Sequence, residues 1–382
     1  MADYATLKQQ IATSPAFIVD EAELIATLQA FDDLREHSGC RLLYSLKALP
    51  LMPVLSLIKP YVDGFSVSSL FEARLAHEVL MGQGGIHLTS PGIKPDEMPE
   101  LVDLCSHISC NSFGQYRQLD ACVQPAVSLG LRINPQLSYS QDARYDPCRP
   151  HSKLGIGINA LMKEDFPENI KGLHFHTTFA KTSCQPLVET VALLRCALST
   201  HWAQLDWINL GGGYLFQHME DRHLFLDVVG SLIKSGLTVF IEPGNAVVGH
   251  TGYLLATVID CFDSDGKTVA VLDTSVNHQP RVFEYQLQPE LAEHDNEGRF
   301  PAILAGCTCL AGDIFGEYRF IRPIAVGDKV LFKQAGAYSM VKANRFNGYN
   351  LPDIYVINGD RVSSVKQYGY FGYRQQWSPE EY

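Results

Sequence analysis

Short apolar segments recur along the first two thirds of the chain, with a helix-like stretch between successive segments. They begin near residues 41, 64, 85, 107, 127, 172, 207 and 238, and most starts lie 20 to 40 residues apart. That is the length of one strand followed by one helix. Eight such units in a row are typical of a TIM-like (β/α)8 barrel, a closed parallel sheet inside a ring of helices. The segment 135–169 is longer than a connecting loop needs and is interpreted as an insertion.

The sequence pattern changes after residue 245. Segments with strand composition follow at 269–273, 302–305, 329–332 and 354–356, separated by Gly, Asp and Pro turns. We therefore predict an α/β barrel over residues 21–245 and a mostly β domain, a barrel or sandwich, over residues 246–382. Residues 1–20, with a strand near Phe17, are predicted to join and complete the β domain.

Composition limits the kinds of molecule and the compartment that we expect for this protein. The formal net charge is −12, which argues against a nucleic-acid partner. The ten cysteines include no CxxC pair and the N-terminus has no basic, apolar leader, so we expect a cytoplasmic protein with reduced thiols. No uninterrupted apolar run approaches the roughly 18 residues of a membrane span, so no membrane association is expected.

A lysine follows the first predicted barrel strand. Residues 41–46 are mainly apolar, and Lys47 comes directly after them. An ammonium at the end of a buried strand is costly unless it is paired or loses its proton. A lysine with a lowered pKa is a nucleophile that forms a Schiff base with a carbonyl. The ordinary alternative is a lysine whose head group reaches water, and the other strand ends decide between the two.

The ends of the seventh and eighth strands supply complementary chemistry. Gly211, Gly212 and Gly213 follow the seventh strand, where bare backbone amides in a barrel commonly bind phosphate. Glu242 ends the eighth strand, where a carboxylate can hold a proton on a ring nitrogen. Taken singly, these motifs are also compatible with a tight turn and a salt-bridged glutamate. Together with Lys47 they describe a site for pyridoxal 5'-phosphate (PLP).

Two histidines at the end of the sixth strand leave another interpretation open. His174 and His176 are two residues apart on a strand, so they share a face. Such a pair occurs in metal-dependent hydrolases. No second His/Asp cluster at the other strand ends completes a metal shell, so we predict no metal. One histidine would instead pack flat against a planar ring.

These motifs, over almost the whole chain, resemble the fold-type III PLP-dependent decarboxylases, whose members act on ornithine, arginine, diaminopimelate and carboxynorspermidine. The chain is most similar to the carboxynorspermidine (carboxyspermidine) subgroup. The resemblance implies that Lys47 carries PLP, His176 stacks on its ring and Glu242 holds the pyridine nitrogen. The further cofactor contacts that it implies are Gly211, Gly212, Gly213, Gly244 and Tyr338.

The resemblance also implies a homodimer with shared active sites. Cys309 matches the cysteine that reaches the partner's site and returns a proton to the α-carbon after CO2 has left. The implied substrate is a cationic amino acid, a carboxylated polyamine of spermidine biosynthesis. The substrate contacts implied by the resemblance are Asp313, His278, Glu284, Arg281 and Tyr338.

Two positions depart from the subgroup pattern. The subgroup usually has an aspartate in the run His-x-Pro-Asp-x-x-Glu, but this chain has Arg281 there; Asn245 replaces the family arginine after Glu-Pro-Gly. A guanidinium can bind a carboxylate. The departure therefore leaves open a substrate with a distal carboxylate, diaminopimelate-like or a siderophore precursor. A non-catalytic relative is a further alternative, disfavoured because Lys47, Glu242 and Cys309 are all present.

Overall fold

The computed structural model describes residues 4–122, 127–140 and 142–379. The chain divides into two compact units. One contains residues 27–247, and the other contains residues 1–26 together with residues 248–382. Within the described residues, none of the helices combines the length and the apolar character that crossing a membrane requires.

The first unit is built on eight parallel strands that close into a barrel. Strand β2 (Arg41–Ser45) pairs with β3 (Gly64–Val67) on one side and with β10 (Thr238–Ile241) on the other, so the sheet is continuous. The other barrel strands are β4 (Gly85–Thr89), β5 (His107–Cys110), β6 (Ser128–Asn134), β8 (Gly172–His174) and β9 (Trp207–Asn209). The predicted barrel is confirmed. A short strand, β7 (Ile156–Gly157), lies in the predicted insertion and pairs with β6.

Helices alternate with these strands. They are α2 (Glu21–Ser38), α3 (Met52–Ile58), α4 (Leu70–Leu80), α5 (Met98–Leu104), α6 (Phe113–Asp120), α7 (Ile158–Leu161), α8 (Gln185–Ala197), α9 (Arg222–Lys234) and α10 (Asn245–Val248). The first of them shows why the sequence folds this way. Leu24, Leu28, Phe31 and Leu34 recur at helical spacing, and all four side chains are buried.

Aromatic rings fill the barrel toward the N-terminal ends of its strands. The rings of His87 and His107 stack with their centroids 4.0 Å apart, and the Trp207 indole contacts both rings edge-on. Trp207 also lies against Gly130 and Gly172, where no side chain fits beside it. Because this end is packed, the C-terminal strand ends are left to form a site.

The second unit is a sheet that includes the N-terminal strand. Strand β1 (Ala16–Asp20) is fully buried and lies between β11 (Gly252–Ser264) and β16 (Asp353–Asn358). The remaining strands are β12 (Lys267–Leu272), β13 (Phe300–Ala305), β14 (Ile314–Phe320), β15 (Lys329–Phe332) and β17 (Arg361–Lys366), and the helices are α1 (Tyr4–Gln10), α11 (Arg281–Tyr285) and α12 (Tyr370–Gln375). The predicted mostly β fold, completed by the N-terminal strand, is confirmed. Three of its strands, β11, β14 and β17, are not among the predicted ones.

Replacing Gly172 by alanine should destabilise the barrel, because the new Cβ would lie 1.9 Å from a ring atom of Trp207. Overpacking of this kind typically costs about 1–3 kcal/mol, and urea denaturation should show a loss of at least about 2 kcal/mol in the free energy of unfolding. Gly230→Ala in α9 is the matched control, since nothing lies within 4 Å of its new Cβ. It should stabilise the protein by roughly 0.5–1 kcal/mol. Equal effects of the two substitutions would contradict the packing argument.

Candidate active site

A cavity of about 370 Å³ lies at the C-terminal ends of the barrel strands. Lys47 reaches it from a 3₁₀ turn, Leu46–Ala48, that directly follows β2. The other strand-end residues that line the cavity are Ser66, Thr89, Arg132, His174, His176 and Glu242. The predicted insertion contributes a further part of the wall, through Arg144, Tyr145, Asp146, Pro147, Arg149, Ser152, Lys153 and Leu154.

The environment of Lys47 favours its neutral amine. The side chain is accessible from the cavity, yet protein atoms surround it closely enough that burial lowers the pKa of its ammonium. The Glu242 carboxylate acts in the opposite direction, and the Arg132 guanidinium lowers the pKa further. Within the described residues, Lys47 makes no hydrogen bond or ion pair. These features are compatible with a nucleophilic amine, and that role of Lys47 stays a prediction.

Glu242 is buried directly after β10, and 7% of its surface is exposed. Its Oε1 accepts a hydrogen bond of 2.7 Å from the Asn209 side-chain amide. Burial raises the pKa of the Glu242 carboxyl, and the nearby charge of Lys47 and the bond from Asn209 oppose that rise. A carboxyl group in this state readily shares a proton with a basic ring atom.

The two histidines are neutral and engaged with the protein. The backbone N–H of Gly212 donates to Nδ1 of His176 at 3.2 Å, so this nitrogen carries no proton. Burial lowers the pKa of His176 to about 3, with the charges of Lys47 and Arg132 acting in the same direction. Nδ1 of His174 shares a hydrogen bond of 3.0 Å with the Thr89 hydroxyl. Among the described residues, no group of three or more His, Cys, Asp or Glu side chains is arranged to hold a metal ion.

The glycine segment after β9 approaches neighbouring backbone too closely for any side chain. A Cβ on Gly211 or Gly212 would lie 2.4 Å from a carbonyl oxygen, and one on Gly213 would lie 2.1 Å from another. Gly211 and Gly213 also have φ values of +71° and +90°. Gly244 has a comparable role, since its Cβ would contact the Cβ atoms of Ala48 and Ser45 at 3.0 and 3.2 Å.

Sequence reasoning missed two buried residues of this site. Arg132, on β6, faces the cavity, and within the described residues it makes no hydrogen bond and has no carboxylate within 4.0 Å. Asn209 links Glu242 to the amide of Gly211, which donates to Asn209 Oδ1 at 2.9 Å. The one signal in the sequence is a polar residue at or near the end of an apolar strand, in Leu131-Arg132-Ile133-Asn134 and Trp207-Ile208-Asn209.

The remaining predicted residues lie in the second unit, where Asp313 is fully engaged. Its carboxylate accepts hydrogen bonds from the backbone amides of Val276 (2.8 Å) and Thr308 (3.0 Å) and from the Thr308 hydroxyl. It therefore holds the loop that carries Cys309. His278 is buried and shares a hydrogen bond of 2.9 Å with the Thr274 hydroxyl, and burial lowers its pKa to about 4.

The four other predicted site residues of this unit make different kinds of contact. Glu284 forms an ion pair with Lys342. Arg281 donates to the carbonyl of Gln334 at 2.9 Å, and burial lowers the pKa of its guanidinium. The structure gives Arg281 no carboxylate partner within the described residues. Cys309 is exposed, and its backbone amide donates to the Asn347 side chain at 2.8 Å. The ring of Tyr338 faces the Lys342 ammonium at 5.6 Å.

Comparison with known proteins gives matches over nearly the whole chain. The sequence model described as pyridoxal-dependent decarboxylase, C-terminal sheet domain, matches residues 17–336. A carboxyaminopropylagmatine decarboxylase from Synechocystis is 33% identical over 371 residues, which cover 95% of both chains. A carboxynorspermidine/carboxyspermidine decarboxylase from Campylobacter jejuni is 31% identical, covering 94% of this chain and 97% of its own. The crystal structure of carboxynorspermidine decarboxylase complexed with norspermidine, also from C. jejuni, has a TM-score of 0.87 at 30% identity, covering 96% of this chain and all of that chain.

The pKa of His176 predicts a specific acid sensitivity. Its pKa falls from 6.5 to about 3 on folding, so between these values the unfolded state binds a proton that the folded state does not. Stability therefore falls as the pH falls, with a contribution from His176 of about 1.4 kcal/mol per pH unit. His176→Phe should reduce the slope of the unfolding free energy against pH by this amount, measured with urea between about pH 4 and pH 6.5. His223→Phe, at an exposed position of α9, should keep the wild-type slope. Identical slopes for all three proteins would refute the assignment.

Proposed function

The chain belongs to the pyridoxal-dependent decarboxylase family, and from this premise we propose that its substrate is a carboxylated polyamine. The reaction would convert carboxynorspermidine or carboxyspermidine to norspermidine or spermidine. The observation that carries this proposal is the identity of 31–33% to relatives named for carboxylated polyamine substrates, over nearly their full length. The predicted enzyme class and the predicted cofactor, pyridoxal 5'-phosphate, are confirmed by the family.

The residues of the barrel cavity fit this cofactor. Within the described residues Lys47 offers an amine without a protein partner. The glycine segment 211–213 follows β9 at the same end of the barrel, and its Gly211 and Gly212 amides already donate to Asn209 and His176. Arg132 adds a buried guanidinium without a carboxylate partner among the described residues. When bound, PLP supplies an electron sink for the electron pair that remains when CO2 leaves.

The protein's own groups set the protonation states that this chemistry requires. Glu242 would hold a proton at the pyridine nitrogen, and its raised pKa and its bond from Asn209 suit that task. The neutral ring of His176 offers a flat apolar face without adding a positive charge beside that nitrogen. Lys47, whose pKa is lowered by burial, would hold the cofactor through its side-chain amine.

We also propose that the enzyme acts as a homodimer in which Cys309 serves the partner's active site. Cys309 is exposed, and its loop is held in place by Asp313 and by Asn347. A thiol on a fixed, accessible loop suits the return of a proton to the α-carbon. Phe283, Ile314 and Phe346 in the same unit expose 45–48% of their surface, which agrees with burial against a second copy.

A second substrate class has an observation in its favour. Arg281 is a partly buried guanidinium that donates to the carbonyl of Gln334 and, within the described residues, has no carboxylate partner, and Glu284 is already paired with Lys342. A distal carboxylate on the substrate, as in diaminopimelate or a siderophore precursor, would neutralise Arg281. A polyamine tail would not.

A CO2-release panel over carboxynorspermidine, carboxyspermidine, carboxyaminopropylagmatine, ornithine, lysine and diaminopimelate separates these classes. We expect kcat/KM to be highest for a carboxylated polyamine, by a factor of about ten or more over the other amino acids, because discrimination between unlike polar ends is large. Lys47→Ala is the control and should release no CO2 and lack the visible absorption band of the bound cofactor. Diaminopimelate as the best substrate would overturn the polyamine assignment.

Subunit mixing tests the shared site. Coexpressed Lys47→Ala and Cys309→Ala subunits should form heterodimers with one intact site, and random pairing then predicts about a quarter of wild-type activity. The control pair is Lys47→Ala with Glu242→Ala. Both substitutions fall on the same side of the site, so this pair should give no rescue. A Lys47/Cys309 mixture without activity above its parents would contradict the shared site.

A further inference from the structure

Asn209 ends strand β9 and is 1% exposed. Its side-chain nitrogen donates to Glu242 Oε1 at 2.7 Å, and its side-chain oxygen accepts from the backbone amide of Gly211 at 2.9 Å. One buried amide group therefore joins the carboxylate assigned to the pyridine nitrogen to the first glycine of the phosphate segment.

The chemistry of the two partners fixes the orientation of this amide. A carboxylate only accepts hydrogen bonds, and a backbone N–H only donates. Rotating the amide by 180° would set its oxygen against Glu242 and its NH2 group against the N–H of Gly211, so both bonds would be lost. Because both ends are satisfied in one orientation alone, Asn209 holds its two partners at a set separation.

Backbone bonds extend this connection to the stacking histidine. The carbonyl of Asn209 accepts from the amide of Phe175, the residue before His176, at 3.1 Å. The amide of Glu242 in turn donates to the carbonyl of Gly211 at 2.8 Å. Three neighbouring strand ends, with the histidine, the glycine segment and the carboxylate, are thus aligned through contacts that include Asn209.

We propose that Asn209 is a positioning residue that couples the ring-nitrogen carboxylate to the phosphate-binding segment. Asn209 is not itself among the residues that line the cavity, and it acts through Glu242 and Gly211. Its bond occupies Oε1 of Glu242, while Oε2 lies 3.7 Å from Nε2 of His174. The proposal rests on the PLP site of the family and is independent of the choice of substrate.

Asn134 provides a matched control on the same barrel. It ends β6, is 7% exposed, and its side-chain oxygen accepts from the amide of Gln136, two residues on, at 2.9 Å. This is the turn that Asn209 makes with Gly211. The difference is that the Asn209 nitrogen also donates to a carboxylate, whereas the structure gives the Asn134 nitrogen no such bond within the described residues.

The first experiment measures PLP binding to the apoprotein by absorbance titration. Asn209→Leu should weaken PLP binding at least about tenfold and lower kcat by a similar factor, because a bond to a charged group and the loop anchor are lost together. Asn134→Leu should leave both quantities within about threefold of wild type. An Asn209→Leu protein that loses only thermal stability, with PLP affinity and kcat unchanged, would reduce Asn209 to a structural residue and overturn the proposal.

A double-mutant cycle then tests the route of the coupling. If Asn209 acts through Glu242, the loss of PLP affinity caused by Asn209→Leu should be at least about threefold smaller in a Glu242→Gln background than in the wild type. Additive losses would show that the two side chains act independently, against the proposal. PLP affinity is measured without substrate, so rejection of every polyamine in the CO2 panel would leave this result unaffected.

Asn209→Asp keeps the proposal testable if the leucine variant does not fold. The new side chain retains the acceptor for Gly211 but sets a second carboxyl group against Glu242, so the pair must share a proton. The pH dependence of PLP affinity in this variant should show an additional titration, which is absent from both the wild type and Asn134→Asp. PLP binding with the same pH dependence in all three proteins would overturn the coupling.

Discussion

The pairing of β2 with β10 is the interaction on which the site depends. It closes the barrel and brings together two segments that are far apart in the sequence. The amide of Ser45 donates to the carbonyl of Pro243 at 3.1 Å, which fixes Lys47 and Glu242 at the same mouth of the barrel. Gly244 is required at this junction because the Cβ atoms of Ser45 and Ala48 fill the space beside it. The geometry of the amine and the carboxylate is therefore a consequence of closure.

Closure also shifts the pKa values of both groups. In water Lys47 and Glu242 would both be ionised at neutral pH, but burial lowers the pKa of the lysine and raises that of the glutamate. The attraction between the two charges opposes both pKa shifts. Arg132 lowers the pKa of Lys47 while favouring the ionised form of Glu242, so this one residue supports both roles. Opposed pKa shifts of this kind are common at active sites.

The parts of the site that the sequence predicts are those in which residue type alone carries the chemistry. A lysine after an apolar strand, three consecutive glycines and a glutamate before Pro-Gly are each distinctive. Arg132 and Asn209 are of ordinary residue types. Asn209 matters because it links Glu242 to Gly211, and Glu242 lies beside it only through strand pairing. Predicting this would have required the register of strands that are distant in the chain.

The same limit applies to the second unit. Asp313 matches a motif expected to contact the substrate, but backbone amides that only the folded chain brings near it occupy its carboxylate. Strand β14, with the sequence IFGEYRF, is not among the predicted strands. In the structure its side chains alternate in part between buried and exposed, as those of a half-exposed strand should. Its glycine, at φ +141°, interrupts the apolar pattern by which the other strands were recognised.

The environment of Tyr285 bears on the proposed contact between Arg281 and the far end of the substrate. Two cations flank this ring, with the Lys342 ammonium at 5.9 Å and the Arg281 guanidinium at 6.0 Å from its centroid. Lys342 forms an ion pair with Glu284, whereas Arg281 donates to the carbonyl of Gln334. An incoming ammonium would have to compete with Lys342 for Glu284, while an incoming carboxylate would meet Arg281 without displacing any group. If the proposed contact is made, the different pairing of these two cations favours an incoming carboxylate at Arg281.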